Sequence, residues 1–302
     1  MRAGRASRTA EHNALFRALE DALPGERRLF RDPLAAAALT FPLSLVARLG
    51  KVPGVRTGIL RIIDGRWPGV RTSLVARTRL IDDAIVRALD EPIEQVVILG
   101  AGFDSRPYRL PGLRRLPVFE VDHPDTQAAK RAALQRALPA IPGHVRFVAS
   151  DFTRSDLEAR MLAAGYRESA RTLILWEGVT NYLTGDAVDA TLDWCTRAGP
   201  GSLVVFTYVH RDVLTRPHVF AGIDQLFAAL ERAGERFTFG LEPEELPGFL
   251  ARRGMRLESD VGCTEYRERY YHEAARAMRG HEFYRVALAR VAPAEVASGG
   301  RA

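Results

Sequence analysis

The sequence predicts an α/β fold built on an open, mostly parallel sheet, and three observations predict it. Val96, Val97, Ile98 and Leu99 form an apolar run that ends directly in Gly100-Ala101-Gly102. This is the signature of a strand covered on both faces that feeds a tight turn. Roughly 20 residues later a second run, Phe119-Glu120-Val121-Asp122, ends in an acid, the separation expected across one βαβ unit. Three further runs follow: Arg146 to Ala149 leading into Asp151 and Phe152, Arg171 to Leu175 leading into Trp176, Glu177 and Gly178, and Leu203 to Phe206 leading into Tyr208 and His210. Each of the five runs is followed by a polar residue or a glycine. Open parallel sheets bind ligands beyond the carboxyl ends of their strands, so these end residues should converge on one crevice, with a nucleotide-like ligand at the glycine turn.

The elements around the strands follow from composition and periodicity. Asn13 to Leu23 and Pro33 to Leu39 have helix-forming composition, and Thr72 to Leu89 places Leu74, Ala76, Leu80, Ile81, Ala84, Ile85 and Ala88 at helical spacing. Pro42, Pro53, Gly54, Gly58, Gly65, Pro68 and Gly69 punctuate the stretch between, which predicts short helices and turns folded over the crevice. Pro217 to Gly234 reads as an inserted helix with Val219, Phe220, Ile223, Leu226, Phe227 and Leu230 on one face, suited equally to core packing and to a substrate wall. Glu242 to Arg253 reads as another helix, and Arg256 to Val261 and Glu282 to Val291 as two closing strands. The chain therefore divides into a helical cap or lid over residues 1–92, a core over 93–292 that includes the insertion at about 212–240, and a disordered tail over 293–302.

Composition narrows the function classes. At 302 residues and 47% hydrophobic, one α/β domain with helical additions accounts for the whole chain. Cys195 and Cys263 stand far apart without metal or CxxC spacing, which predicts two reduced thiols, a cytoplasmic setting and no metal site. The stretch Leu39 to Leu49 is too short to span a membrane and Pro42 breaks it. The net charge of +6 would favour an acidic ligand, but the arginines are scattered along helices rather than interleaved with aromatics in one block, so no nucleic-acid partner is expected.

Four ordered motifs then carry a resemblance. Ala76-Arg77-Thr78-Arg79-Leu80-Ile81-Asp82-Asp83, Leu99-Gly100-Ala101-Gly102-Phe103-Asp104-Ser105-Arg106, Phe119-Glu120-Val121-Asp122 and Glu177-Gly178-Val179-Thr180-Asn181-Tyr182-Leu183 resemble the leucine carboxyl methyltransferase family, from about Phe30 to the last strand. Its superfamily includes bacterial members of unknown substrate and polyketide-tailoring O-methyltransferases. The resemblance implies a Rossmann-like class I methyltransferase fold, with a seven-stranded, mostly parallel sheet closed by an antiparallel hairpin, helices on both faces, an N-terminal helical lid and a helix inserted after strand 5. It implies S-adenosyl-L-methionine as methyl donor and a small-molecule carboxylate or hydroxyl as acceptor.

Roles follow residue by residue. Gly100, Ala101 and Gly102 would let the backbone approach the cofactor, and Asp122 would accept both ribose hydroxyls, unless it caps the helix before Pro124. The resemblance places Asp151 and Phe152 against adenine, with Phe152 where family members often carry leucine; helix capping is the other reading of Asp151. It assigns Arg77 to the cofactor carboxylate, against a surface ion pair with Asp82 or Asp83. Glu177 would meet the cofactor ammonium or the acceptor, or else pair with a nearby arginine. A carboxylate acceptor needs no base; for a hydroxyl, His210 is the candidate base with Tyr182 or Tyr208 as its hydrogen-bond partner, a structural role being the alternative. Ile98 and Leu99 stand where most class I methyltransferases carry an acid, a departure this family shares. Two rival functions stay open: an NAD(P)-dependent oxidoreductase, whose fingerprint wants glycine or alanine where Ser105 stands, and a non-catalytic protein that binds S-adenosyl-L-methionine.

Overall fold

The computed structural model describes residues 8–150 and 157–293. Strands β1 (Gln95–Leu99), β2 (Val118–Asp122), β3 (Val145–Ala149), β4 (Thr172–Trp176), β5 (Leu203–Val209), β6 (Met255–Gly262) and β7 (Tyr284–Val291) form one sheet in the order β3-β2-β1-β4-β5-β7-β6. The first five are mutually parallel, and β7 runs antiparallel to both β5 and β6. The seven-stranded, mostly parallel fold expected from the sequence is present, including its closing hairpin. The strand order reverses at β1, which has β2 on one side and β4 on the other, so the crevice beyond their carboxyl ends is the topological switch point.

Around the sheet lie α1 (Arg8–Asp21), α2 (Leu43–Leu49), α3 (Pro53–Arg66), α4 (Val70–Ala88), α5 (Arg106–Arg109), α6 (Pro124–Ala137), α7 (Leu157–Ala163), α8 (Gly185–Cys195), α9 (Asp212–Thr215), α10 (Ile223–Ala233), α11 (Leu246–Ala251) and α12 (Cys263–Tyr271). The two-residue alternation of each strand divides its apolar side chains between two cores. Val97, Leu99, Phe119, Val121, Ile174, Trp176, Val204 and Phe206 pack under α8 and α11 through Val188, Leu192, Leu246 and Leu250. Val96, Ile98, Val118, Leu173, Leu175, Leu203 and Val205 pack against Ala76, Leu80, Ile81, Ala84, Ile85 and Ala88 of α4 and Tyr266 of α12. Helix α4, on the cap side of the boundary at 92, thus belongs by its packing to the sheet layer. The cap proper has its own cluster, in which Leu15 and Leu19 of α1 meet Leu39, Ala47, Ile63 and Leu74.

Local departures from the sequence expectations have identifiable causes. Only Ala35–Ala38 of the Pro33–Leu39 segment is helical, as a 3₁₀ turn, because Thr40 is drawn aside by two 2.6 Å bonds from its N and Oγ1 to Glu11. Helix α3 runs unbroken through Gly54, Gly58 and Gly65: Pro53 presets its first turn, and the roughly 1 kcal/mol that each glycine costs relative to alanine is offset by packing of Ile59 and Ile63 in the cap cluster. The insertion after β5 is two pieces, a 3₁₀ turn at Pro217–Val219 and α10, because Phe220 is extended and Gly222 is left-handed at φ +80°. Glu242 to Arg253 divides likewise into a 3₁₀ turn at Pro243–Glu245 and α11. Cys195 and Cys263 are free and buried. Among the described residues no helix is long and apolar enough to cross a membrane. Residue 293 is described, and the rest of the segment expected to be a disordered tail lies outside the described residues.

Candidate active site

The glycine turn at the end of β1 is left-handed at two positions, with φ +67° at Gly100 and +41° at Gly102. A side chain is excluded at Gly100 on a second count, since a Cβ there would lie 2.4 Å from Cγ2 of Val179. The turn is pinned to the neighbouring strand: Ala101 N donates to the Val121 carbonyl at 3.0 Å, and the amide of Gly102 donates to Asp122 Oδ2. Asp122 Oδ1 accepts from the amide of His123 at 2.6 Å. Burial raises the Asp122 carboxyl pKa, and these two amides oppose that rise. The cap of α6 is His123, whose Nδ1 accepts from Asp125 N at 3.3 Å, so Asp122 is left facing the turn rather than capping the helix.

Behind the turn lies a buried network of three guanidinium groups and three carboxylates. Glu177, just past β4, accepts from Arg77 Nε at 2.9 Å and from Arg106 Nη1 at 2.8 Å. Arg106 also donates to Asp82 at 2.7 Å and to Asp104 at 2.7 Å, and Arg109 makes a forked contact with Asp82 at 2.7 and 2.8 Å. Burial disfavours the charges of Arg77, Arg106, Asp104 and Glu177, but the opposite charges outweigh it. Arg106, Lys130 and Arg17 overcome the burial of Asp104 and hold its carboxyl at about 2, and Arg106 and Arg77 keep Glu177 below its ordinary value. The Arg77 guanidinium lies 5.0 Å above the Tyr284 ring, a cation–π contact that fixes its approach. Arg77 is therefore a buried partner of Glu177; Asp82 goes to Arg106 and Arg109, and Asp83 to Arg79 at 2.9 Å.

An aromatic wall stands beside this network. Tyr182 packs edge-on to Phe237 at 5.5 Å, Phe237 to Phe227 at 6.0 Å, and Phe220 to Phe283 at 5.5 Å. Burial raises the phenol pKa of Tyr182 and of Tyr284, so both are hydrogen-bond donors at neutral pH. His210, past β5, has both ring nitrogens against protein atoms: Nδ1 accepts from Asp212 N at 3.1 Å, and Nε2 lies 3.3 Å from Glu242 Oε2. His210, Asp212 and Glu242 offer ligand atoms within 4.8 Å of one another, but Asp212 is already clasped by Arg216 at 2.6 and 2.9 Å. Tyr208, the other partner considered for His210, turns away and donates to Asp260 at 2.7 Å.

Arg77, Gly100, Ala101, Gly102, Asp122, Glu177 and Tyr182 thus gather at the carboxyl ends of β1, β2 and β4, and His210, past β5, has its ring 5.9 Å from Phe220 of the aromatic wall. Asp151 and Phe152 lie outside the described residues. Sequence reasoning assigned no role to Arg106, Asp104, Arg109 or Tyr284. The signal available for the first two was their place inside the glycine motif, where charges beside a fully apolar strand must be paired.

The profile of the leucine carboxyl methyltransferase family matches residues 10–196. A protein of Frankia alni is 34% identical over 187 residues, covering 61% of this chain and 62% of its own length. One from a Parafrankia species is 34% identical over 196 residues, covering 65% and 60% respectively. Both carry the name "putative S-adenosyl-L-methionine-dependent methyltransferase". The match spans less than two thirds of the length of either relative. A crystal structure of a DUF574 family protein from Streptomyces avermitilis shares the fold, with a TM-score of 0.57 at 15% identity over 92% of this chain and 97% of that one. With more than half of its length matched by one family profile, on the strand order and glycine turn described above, the chain belongs to the leucine carboxyl methyltransferase family.

Proposed function

We propose that this protein is an S-adenosyl-L-methionine-dependent methyltransferase that methylates an oxygen of a small-molecule acceptor. The observation that carries the reading is the left-handed turn at Gly100 to Gly102 with the Asp122 carboxylate beside it, at the switch point of the sheet. The cofactor, when bound, supplies a methyl group on a sulfonium that a nucleophile displaces in line. The residues present fit it. Asp122 is set to accept the ribose hydroxyls beside the left-handed backbone of Gly100 and Gly102. The paired Arg77 and Glu177 offer complementary charges to a zwitterionic amino-acid end, Arg77 to its carboxylate and Glu177 to its ammonium. Asp151 and Phe152 complete the set by resemblance.

The chain's own contribution is positioning and exclusion of water. The buried network fixes Glu177 against two guanidiniums before any ligand arrives, so little reorganisation accompanies binding. The wall of Tyr182, Phe220, Phe227 and Phe237 supplies an apolar face for a flat acceptor. A dinucleotide is a poorer fit: the helix after the turn, α5, is only four residues long, and Ser105, where the fingerprint wants a small packing residue, donates to Asp32 at 2.7 Å. A cytoplasmic setting and a place in secondary metabolism accompany the proposal.

Calorimetry of the purified protein with S-adenosylhomocysteine and with NAD tests the reading. Micromolar binding of the first and no heat from the second is the expected result. Asp122→Ala should weaken the first by roughly ten- to a hundredfold, the equivalent of about 1.5–3 kcal/mol for hydrogen bonds to a charged group. Absence of heat from both S-adenosyl-L-methionine and S-adenosylhomocysteine would refute it.

A further inference from the structure

A second histidine, at the same rim of the sheet, has had no part so far. His281 lies in the turn between α12 and β7, and because β7 is antiparallel its start falls beside the carboxyl end of β5. There Tyr284 pairs with Val209, and His210 N donates to the Phe283 carbonyl at 2.8 Å. The His281 ring is 3% exposed. It stacks on Phe283 with centroids 4.9 Å apart and lies nearly parallel to Tyr284 at 6.4 Å and 11°. Tyr284 is the ring beneath the Arg77 guanidinium, so His281 shares the aromatic wall beside Glu177.

The hydrogen bonding of this histidine is incomplete. Its backbone amide donates to Ser73 Oγ at 2.6 Å, whereas ring Nε2 is buried with no hydrogen-bond partner among the described residues. A buried polar atom left unpaired is destabilising, and beside a crevice it marks where a polar group of a ligand belongs. The ionisable groups around it are Arg77 from α4, Cys263, Tyr266 and Arg267 from α12, and Glu282 and Tyr284 at the start of β7. Burial first, and then Arg77, lower the imidazole to about 4, so at neutral pH the ring is uncharged and the unpartnered Nε2 can present its lone pair to a ligand. Such an atom attracts an O–H and repels a carboxylate. The neighbouring network leaves no cation for an acceptor carboxylate either, since Arg77 is the group set to meet the cofactor's carboxylate and Arg106 and Arg109 face Glu177, Asp82 and Asp104.

We propose that His281 Nε2 receives the hydroxyl of the acceptor, which makes the acceptor a phenol or enol on a flat ring system rather than a carboxylic acid. This rests on the methyl-transfer reading above. As the acceptor oxygen forms its bond to the methyl carbon, the electron pair of the broken carbon–sulfur bond stays on sulfur and the hydroxyl proton passes to Nε2. The sulfonium charge vanishes as the imidazolium charge appears, so the net charge of the crevice is unchanged. His210, engaged at both nitrogens, is not required for this step.

The test uses the full chain, 2-naphthol and 2-naphthoic acid as twins of one shape, and the variants His281→Phe and His281→Gln. Calorimetry on protein loaded with S-adenosylhomocysteine should show naphthol binding about tenfold or more tighter than naphthoate. His281→Phe keeps the ring stack but not the acceptor atom; it should abolish that preference and lower naphthol methylation by on the order of 10²-fold. His281→Gln, whose amide oxygen can accept, should restore part of both. Affinity for S-adenosylhomocysteine should be unchanged in both variants, which also reports that they fold. Tighter binding or faster methylation of the naphthoate, or wild-type naphthol turnover by His281→Phe, overturns the proposal while cofactor binding stands. Loss of S-adenosylhomocysteine binding in the wild-type protein instead removes the methyl-transfer reading, and the proposal with it.

Discussion

Gly100→Ala is the sharpest probe of the turn on which the crevice is built. Two terms act at once. A non-glycine residue at φ +67° costs about 1–2 kcal/mol. The new Cβ would lie 2.4 Å from Val179 Cγ2, more than 1 Å inside the roughly 3.5–4.0 Å of an ordinary carbon contact. Valine is β-branched and cannot rotate freely aside, so overpacking adds about 1–3 kcal/mol. The expected loss is therefore about 2–5 kcal/mol in urea unfolding. Val179→Ala alone should cost about 1 kcal/mol, since Val179 is only partly buried. Combined, the two should cost less than their sum, with a coupling of about 1–3 kcal/mol in a double-mutant cycle, because the collision is removed and only the backbone term remains. Additive losses would show that Val179 does not press on the turn, and a neutral Gly100→Ala would show that the turn is not left-handed.

Three further outcomes follow from the buried charges. Arg106→Leu removes the ion-pair partner of Asp104, leaving it Lys130 and Arg17, and should cost about 3–5 kcal/mol at pH 7. Asp104 sits at about 2 in the folded chain, below its ordinary 3.8, so the stability it contributes is present above 3.8 and lost as pH falls toward 2; in the variant its pKa rises and the deficit should be smaller at pH 4.5 than at pH 7. Glu120 behaves in the opposite sense: burial pushes its carboxyl to about 7 despite Lys130 at 2.8 Å, so its cost grows as pH rises through that range. Lys130→Met should therefore lose more stability at pH 8.5 than at pH 5, and a pH-independent loss in urea titrations would contradict this. His281, lowered to about 4 from 6.5, contributes stability that is full above pH 6.5 and lost as pH falls toward 4, about 3 kcal/mol in all. His281→Phe should flatten that part of the stability–pH curve.

Strands β1 to β4 were legible within one residue at either end and β5 at its start, three residues short at its end; a strand buried on both faces, as β1, β4 and β5 are, leaves an unbroken apolar run. Helix α4 was equally legible, since Leu74, Leu80, Ile81, Ala84, Ile85 and Ala88 recur at helical spacing even though residues 72–78 are buried all round. Elements with a weaker pattern were less so. The insertion after β5 looked continuous because its apolar spacing crosses the break, and the extended Phe220 and left-handed Gly222 are backbone facts with no periodic signature. At the site, single-residue chemistry could be read but partnership could not. Arg77 and Glu177 were each given two roles, and their pairing joins positions 100 residues apart, a contact only the sheet order creates. Asp122 could be placed at a strand end, whereas its hold on the Gly102 amide needed the β1–β2 register. His281 had no sequence signal, because its position depends on β7 running backwards alongside β5.

The reversal of β7 also separates two inventories along the chain. The groups suited to the methyl donor come from positions 77 to 177, whereas the aromatic wall is assembled from 182 onward and returns to the crevice only through residues 281 to 284. On the proposed function, exchange of the loop between β5 and β6 with that of a relative would change which molecules are methylated while donor affinity carries over intact. A fold wired in this way would let acceptor chemistry, as proposed, diversify on a fixed donor platform.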